Sequence, residues 1–544
     1  MVMLNTSLGY LNTLIIKKLS VAELEDLLFD MGFEIDKVDG DEIVIEVTPD
    51  RPDLLSTHGM AKAINHFLGE KPKEYETKKS GVKVIIDKGV DSVRPYTVCA
   101  VVKNLDIDEN LLKEIIDFQE KLHEAFARKR KKAAIGIYPL EKISPPIYYK
   151  AEKPEDIKFI PLDSEVEMNG KEIIEKHPKG IEYKSLLEGK KKYPVFVDSK
   201  NEVLSMPPII NSARLGKVSC ETKEIFIECS GDDLEILKKT LNMIATTLAD
   251  AGGEVYSVNL DYPDRKIETP NLKAEEVKIT PESANKILGL ELDGEEIKIL
   301  LGKMGYLIKD EHVFVPCYRT DILHEIDVVD DVARAYGVNN FKPIFPNVST
   351  TGGLTKSTKI KNRLKELMVG FGFQEVFALA LSSREEQFSK MGYEKDAIIL
   401  DHQVEKSINM LRVSLLPELL KVLKCNQHYE FPQNVFEISD IVLPNEKSET
   451  KSEDIIYLSA LISKPVAGYA DISSIVDSLF SNIKMEYKFK KKEDPRFIKG
   501  RVAGIIVDGK EVGIIGEIYP GVLENFKLET PTVGFEIDIE FLLE

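Results

Sequence analysis

Four aspartates in the second half of this 544-residue chain have the type and spacing to hold a hard cation. Asp327, Asp330 and Asp331 stand at i, i+3 and i+4, so on a helix their carboxylates share one face. Asp321 falls at the junction between a strand and that helix and can approach the same face. Carboxylate oxygens with few nitrogen or sulfur donors nearby suit an ion such as Mg²⁺, which keeps several of its waters. The same residues have a plainer use, with Asp321 capping the helix and the others favouring its positive N-terminal end.

The helix that carries these acids belongs to a unit that occurs twice. The first copy has Leu24, Leu27, Leu28 and Met31, then Gly32-Phe33; the second has Ile297, Leu300, Leu301 and Met304, then Gly305-Tyr306. Both place apolar residues at i, i+3, i+4 and i+7, one stripe of an amphipathic helix stopped by glycine. An alternating strand follows in each copy: Ile43, Ile45 and Val47 in the first, and Val313 and Val315 set between His312, Phe314 and Pro316 in the second. Then come Arg51-Pro-Asp53 and Arg319-Thr-Asp321, and a second helix ending at Gly69 or Gly337. Asp53 to Gly69 and Asp321 to Gly337 are equally spaced, so the copies align there without a gap. At the positions of Asp327, Asp330 and Asp331 the first copy has Gly59, Lys62 and Ala63. The scaffold therefore does not require the acids, which tips the reading toward a role specific to the second copy.

The chain is long enough for about three or four domains, each with its own core. A small helical unit at 1–70 is followed by a polar linker over Lys71 to Ser80 and an α/β segment at 81–265. The second repeat fills 268–345, and a last α+β domain fills 354–544, with an Asp508-Gly509 hairpin near its end. A net charge of −19 argues against a protein that wraps nucleic acid by itself. Local basic runs remain, chiefly Arg128-Lys-Arg-Lys-Lys132, which reads equally as a solvated loop or as a contact to phosphates. The five cysteines lack CxxC spacing and read as reduced thiols. No stretch has the apolar length of a membrane span and Met1 to Tyr10 lacks a leader pattern, so the expected location is cytoplasmic, away from membranes. None of the eight histidines has HExxH spacing, and His123 and His324 read as structural or surface positions.

Several longer strings carry a resemblance across essentially the whole chain, in order: Val47-Thr-Pro-Asp-Arg-Pro-Asp-Leu-Leu-Ser56, Gln119-Glu-Lys-Leu-His123 with Arg128 to Gly136, Pro207-Pro-Ile-Ile-Asn-Ser212, Ile227-Glu-Cys-Ser-Gly-Asp-Asp233, and Pro316 to Asp327. Through them the chain resembles the β subunit of phenylalanyl-tRNA synthetase in its compact archaeal and eukaryotic form. The resemblance implies an α2β2 enzyme that joins phenylalanine to tRNA(Phe) with ATP and Mg²⁺, the aminoacylation site and its ATP lying on the α subunit. It implies an α+β multidomain fold: two small helical repeat units, an α/β editing-type domain, and a degenerate class II synthetase-like antiparallel-sheet domain that docks the α subunit. An active class II core needs arginines on two strands to neutralise ATP phosphates. Neither Asn434 to Asp440 nor Val533 to Ile539 has one.

The resemblance also assigns roles. It places Mg²⁺ at Asp321, Asp327, Asp330 and Asp331, completed by the α subunit, although Asp330 stands where glutamate is usual. It places hydrolytic editing of tyrosyl-tRNA at Glu228, which would read the tyrosine hydroxyl, with Asn211 and Ser230 lining the pocket and helping to place water. A second sieve of that kind suits a synthetic pocket that must tell tyrosine from phenylalanine by one hydroxyl. The chain departs from the pattern at Ser230-Gly-Asp232-Asp233, where threonines are common, and at Tyr138-Pro139, where His-Asp is usual. An assembly and tRNA-positioning subunit without editing activity is the alternative; a free-standing deacylase fits poorly with so long a docking domain.

Overall fold

A computed structural model of the chain describes residues 2–309, 312–403, 405 and 407–543. They fall into two compact units, Met1–Phe345 and Pro346–Glu544.

In the first unit the two repeats form as their patterns dictate. The helix Val21–Met31 starts at a capping box between Ser20 and Glu23 and stops at Gly32 with φ 86°, a left-handed conformation that glycine adopts without strain. Its counterpart Gly294–Lys303 starts at the Asp293–Glu296 capping box and is followed by Gly305, φ 87°. The strands Glu42–Val47 and His312–Val315 each sit at the centre of a three-stranded antiparallel sheet. The copies face one another reciprocally. A Cβ on Gly32 would lie 3.4 Å from the Arg334 guanidinium, and one on Gly305 2.9 Å from His66 Nδ1. His66 and Arg334 occupy equivalent places, three residues before Gly69 and Gly337. The duplication thus packs as an internal pair about a local pseudo-two-fold axis.

Between the repeats in sequence lies a ten-stranded mixed sheet, counted among the described residues, whose first strand, Lys78–Ile86, begins inside the stretch that reads as a linker. Its hydrogen-bonded order runs Ile210–Asn211, Val203–Met206, Tyr193–Val197, Ile147–Glu152, Lys78–Ile86, Glu254–Asp261, Tyr96–Lys103, Ile225–Gly231, Ala133–Pro139, with Lys266–Thr269 beside Glu254–Asp261. Strand Ile225–Gly231 is buried along its whole length, as a run with neighbours on both sides and the helices Glu109–Glu124 and Leu234–Asp250 nearby must be. Most buried apolar residues of this sheet join those of the first repeat in one core, while Val195, Val197, Met206 and Ile210 at one end of it belong to a smaller cluster.

Among the described residues the second unit is built on a seven-stranded sheet that is antiparallel except for the short edge pair of Gln374–Glu375 with Gln433–Pro444. The hairpin of Phe497–Val507 and Lys510–Ile518 turns through Asp508 and Gly509, both at positive φ, as the Asp-Gly pair predicts. Two core clusters draw on this sheet; one includes the helices Lys356–Gly370 and Tyr469–Ile483, the other Leu416–Cys425. On the two strands where phosphate-binding arginines would have to stand, the buried charges are acids. Glu437 pairs with the fully buried Arg412 at 2.9 Å, and Glu536 accepts from Leu415 N at 2.7 Å and Ser414 Oγ at 2.8 Å. Each carboxylate accepts from the chain's own donors through at least one oxygen.

Candidate functional site

The four aspartates of the second repeat are not brought together as a chelating set. Arg319 lays its guanidinium fork on Asp321, Nε to Oδ1 at 2.8 Å and a terminal nitrogen to Oδ2 at 2.6 Å, and the same nitrogen donates to Asp331 Oδ2 at 2.7 Å. Burial pushes the Asp321 carboxyl up, and Arg319 more than offsets it, leaving the group below its ordinary value. Asp327 Oδ2 accepts from the backbone N–H groups of Leu323 and His324, both at 2.8 Å, closing the N-terminus of helix Glu325–Tyr336. Asp330 points outward and pairs with Arg334 one turn on. Among the described residues no group of three or more His, Cys, Asp or Glu side chains is placed to hold a metal ion. Within this chain both oxygens of Asp321 and one oxygen each of Asp327, Asp330 and Asp331 are used by arginines or by the helix terminus, so a cation at this set would need further groups from a partner.

The first repeat explains why the acids differ between copies. Arg51 forks onto Asp53 just as Arg319 does onto Asp321, with distances of 2.9 and 2.8 Å, and both residues are buried. The second copy adds one polar link: Tyr306 donates to Asp331 Oδ2 at 2.8 Å, and both side chains are buried. The first copy has Phe33 and Ala63 at these two places. A phenol and a carboxylate thus replace an apolar pair together, as buried polar groups must. This pairing needs the fold to be seen, since Tyr306 and Asp331 are remote in sequence.

The hydrolytic candidates converge. Glu228 and Ser230 lie on one face of strand Ile225–Gly231, since alternate residues share a face. Asn211 comes from the opposite end of the hydrogen-bonded order, so the sheet curls until its two margins meet. The meeting point is Tyr138, on the last strand, whose hydroxyl lies 3.1 Å from Glu228 Oε1 and 3.3 Å from Asn211 Oδ1. Arg130 draws the same margins together, donating to Ile209 O at 2.8 Å while its other arm pairs with Glu120. That residue comes from the middle of the basic run and is buried, whereas Arg128, Lys129 and Lys131 are exposed. Arg128, Lys129 and Arg130 all have positive φ, which marks a tightly wound turn.

Glu228 is 2 % exposed, and its Oε2 has no hydrogen-bond partner. Burial pushes its carboxyl up to about 8, against the downward pull of the Tyr138 hydroxyl, the Arg94 charge and the Ser230 hydroxyl. The group is therefore largely protonated at neutral pH. A neutral carboxyl donates its O–H to a phenol oxygen and still accepts at the other oxygen, which suits recognition of a hydroxyl better than of a bare ring. Arg94 was not among the candidates read from the sequence. Its Nε donates to Ser230 Oγ at 3.2 Å and a terminal nitrogen to Ser230 O at 2.5 Å, fixing that hydroxyl from beneath. Burial lowers the Arg94 guanidinium from its ordinary value. Gly136 is required by close approach: a Cβ there would lie 2.2 Å from the Tyr138 hydroxyl and 2.6 Å from Glu228 Oε1. Ser205 Oγ is buried near the same phenol but outside hydrogen-bond geometry. His123 is structural, its Nε2 accepting from Ile135 N at 2.8 Å; burial holds the ring near 4, hence neutral.

Comparison with known proteins gives consistent results. Residues 277–338 match the tRNA synthetase B5 domain, and residues 342–539 match the phenylalanyl tRNA synthetase beta chain CLM domain. Curated proteins named phenylalanine–tRNA ligase beta subunit from Thermococcus sibiricus and Pyrococcus abyssi are each 41 % identical to the chain; 97 % of this chain is covered in both cases, with 96 % and 97 % of theirs. The protein of that name from Methanocaldococcus jannaschii is 40 % identical over 94 % of both chains. A crystal structure of an N-terminal fragment of the phenylalanyl-tRNA synthetase beta-subunit from Pyrococcus horikoshii superposes with a TM-score of 0.59 at 41 % identity, covering 62 % of this chain and 99 % of that one.

Proposed function

The chain belongs to the phenylalanine–tRNA ligase β-subunit family, and we propose that it works with an α subunit, in an α2β2 heterotetramer, which attaches phenylalanine to tRNA(Phe) at the expense of ATP. In this reading the synthetic chemistry and the ATP belong to the α subunit. Residues 354–544 form an inactive class II-like docking domain, 81–265 the editing-type domain, and 1–70 and 268–345 the two repeat units. Buried Glu437, paired with Arg412, and Glu536, which accepts from Leu415 N, support the absence of ATP binding from the last domain. Exposed apolar side chains there, Phe377 at 83 % and Leu379 at 65 %, support a docking face. Ligases of this class use Mg²⁺, which Asp321, Asp327, Asp330 and Asp331 would hold only together with groups of the α subunit.

The second activity proposed is hydrolysis of tyrosyl-tRNA at the Glu228 site. The observation that carries it is a buried carboxyl with one unpartnered oxygen, on the same strand face as Ser230 and joined to Asn211 through the Tyr138 hydroxyl. Glu228 would exchange hydrogen bonds with the tyrosine hydroxyl. A phenylalanyl ring would leave that carboxyl unpaired, at a cost of about 1–3 kcal/mol, or roughly 10- to 100-fold in selectivity. Ser230, held by Arg94, and Asn211 would orient water. The water oxygen adds to the ester carbonyl, the bond to the ribose oxygen breaks, and that oxygen takes up the proton the water gives up. Loss of editing, leaving assembly and tRNA positioning, is the second reading, favoured by the hydrogen bond that Glu228 already shares with Tyr138.

Co-expression with the cognate α subunit tests the first proposal: phenylalanylation by the pair and none by this chain alone is the expected result, and an assembled but inactive pair would overturn it. Hydrolysis of preformed tyrosyl-tRNA by the same complex, lost in Glu228→Leu, tests the second.

A further inference from the structure

Tyr138 ends in the chemical group that the Glu228 site is read as recognising. Its ring leans along its own strand, over Gly136, and reaches the carboxyl of the neighbouring strand; Glu228 pairs with Gly136 in the sheet register, and Phe226 pairs with Tyr138. The absence of a side chain at Gly136 opens the path, since any Cβ would strike the phenol. The ring is fully buried, lies 6.0 Å from that of Phe226, and ends at 3.1 Å from Glu228 Oε1 and 3.3 Å from Asn211 Oδ1. Two acceptors and one hydroxyl hydrogen make a chain if the neutral Glu228 donates to the phenol oxygen and the phenol donates to Asn211. Two further polar atoms of this neighbourhood, Glu228 Oε2 and Ser205 Oγ, are buried without partners, so the site is arranged for more hydrogen bonds than Tyr138 supplies.

We infer that Tyr138 is the resident occupant of the hydroxyl-reading site: its phenol holds the place on Glu228 that a tyrosyl group needs, and the chain reads tyrosine only when Tyr138 has left. This rests on the reading of Glu228 given above. It makes Tyr138 a specificity-determining residue and ties the two functional readings together. A site that opens on tRNA binding edits; one that stays filled does not. Emptying the position by Tyr138→Ala leaves a space the size and shape of a tyrosine side chain, with the carboxyl at its end. That space should take p-cresol, which is the tyrosine side chain, in preference to toluene, which is that of phenylalanine.

The experiment uses this chain assembled with its α subunit, as wild type, Tyr138→Ala and Tyr138→His; the histidine variant keeps a polar partner for Glu228 while vacating the outer half of the ring. Thermal stabilisation by p-cresol and by toluene is measured alongside hydrolysis of preformed tyrosyl-tRNA. The expected result is p-cresol stabilising at least one variant more than toluene does, no such effect on wild type, and tyrosyl-tRNA hydrolysis raised roughly tenfold or more. Selective stabilisation by p-cresol with no hydrolysis by any form would uphold the occupant and overturn the hydrolytic reading. Rapid wild-type hydrolysis that neither variant increases would overturn the occupant and leave the hydrolytic reading standing. Folded variants that show no preference for p-cresol would also overturn it.

Discussion

Returning the second repeat to the residues of the first tests why Asp331 is there. Asp331→Ala and Tyr306→Phe each install the first copy's kind of side chain, alanine for Ala63 and phenylalanine for Phe33. In the native fold Asp331 Oδ2 accepts from both Tyr306 and Arg319, and the Arg319 side chain is 1 % exposed. Removing the carboxylate leaves that guanidinium with Asp321 and the Met304 carbonyl, and strands the Tyr306 hydroxyl. Breaking a buried pair in this way costs about 3–5 kcal/mol. Tyr306→Phe alone removes one net hydrogen bond, about 1 kcal/mol, because Asp331 keeps Arg319. With Asp331 already gone, the same change deletes a stranded hydroxyl and should be neutral or stabilising by about 1 kcal/mol. The coupling between the two sites is then about 1–2 kcal/mol. Hydrogen exchange of the amides in helix Glu325–Tyr336, followed in the full chain, reads this without requiring the whole molecule to unfold in one step. Asp331→Ala should speed exchange about 10²- to 10⁴-fold, and adding Tyr306→Phe should leave the single mutant's rate unchanged or slow it, with a coupling worth roughly 5- to 30-fold in rate. If Tyr306→Phe costs the same with and without Asp331, the acid is not there for Tyr306. If Asp327→Ala and Asp331→Ala instead abolish stoichiometric Mg²⁺ in the assembled complex, the reading of these acids as structural fails.

Glu228 gives a pH dependence with a definite sign. Its folded value is raised to about 8 from an ordinary value near 4.5, so the folded state holds the extra proton between those limits. Stability is therefore greatest below about pH 4.5 as far as this group is concerned, falls by a few kcal/mol as pH rises to about 8, and levels beyond. Glu228→Gln should remove that slope, raising the melting temperature at pH 9 more than at pH 5; an unchanged slope would show that Glu228 is not buried as described. Gly136→Ala should destabilise by about 1–3 kcal/mol, because its methyl meets the Tyr138 hydroxyl, and should cost clearly less in a Tyr138→Ala background; additive melting shifts would refute the contact. The basic turn should divide by residue. Arg130→Ala should lower thermal stability by about 2 kcal/mol or more by releasing Ile209 and Glu120. The exposed Arg128, Lys129 and Lys131, changed to alanine together, should leave the fold intact but weaken tRNA binding and flatten its salt dependence, measured by titration at two ionic strengths.

Local chemistry made much of the protein legible in its sequence. Apolar spacing and the glycines after Met31 and Met304 set two helices whose ends need only backbone freedom and a cap, and the Asp508-Gly509 pair set a hairpin. The strings around Asn211, Glu228 and Asp321 carried the family, since runs of neighbouring residues are kept together along the chain. Spacing could not tell a cation site from a helix terminus. The carboxylates of Asp321 and Asp331 were claimed by Arg319 and Tyr306, and the neutralising partner of a buried acid is chosen by packing. The geometry of the Glu228 site, though not its residues, was beyond the sequence for a related reason. Asn211 and Tyr138 stand on opposite margins of a long sheet, and only its curl brings Asn211 to the Tyr138 hydroxyl that also meets Glu228, with Arg94 bonded to Ser230 and no side chain at Gly136 to intervene. The sequence by itself determined which groups could form the site; the tertiary structure decided which of them meet, because burial and the short range of hydrogen bonds make function depend on distances that chain order does not contain.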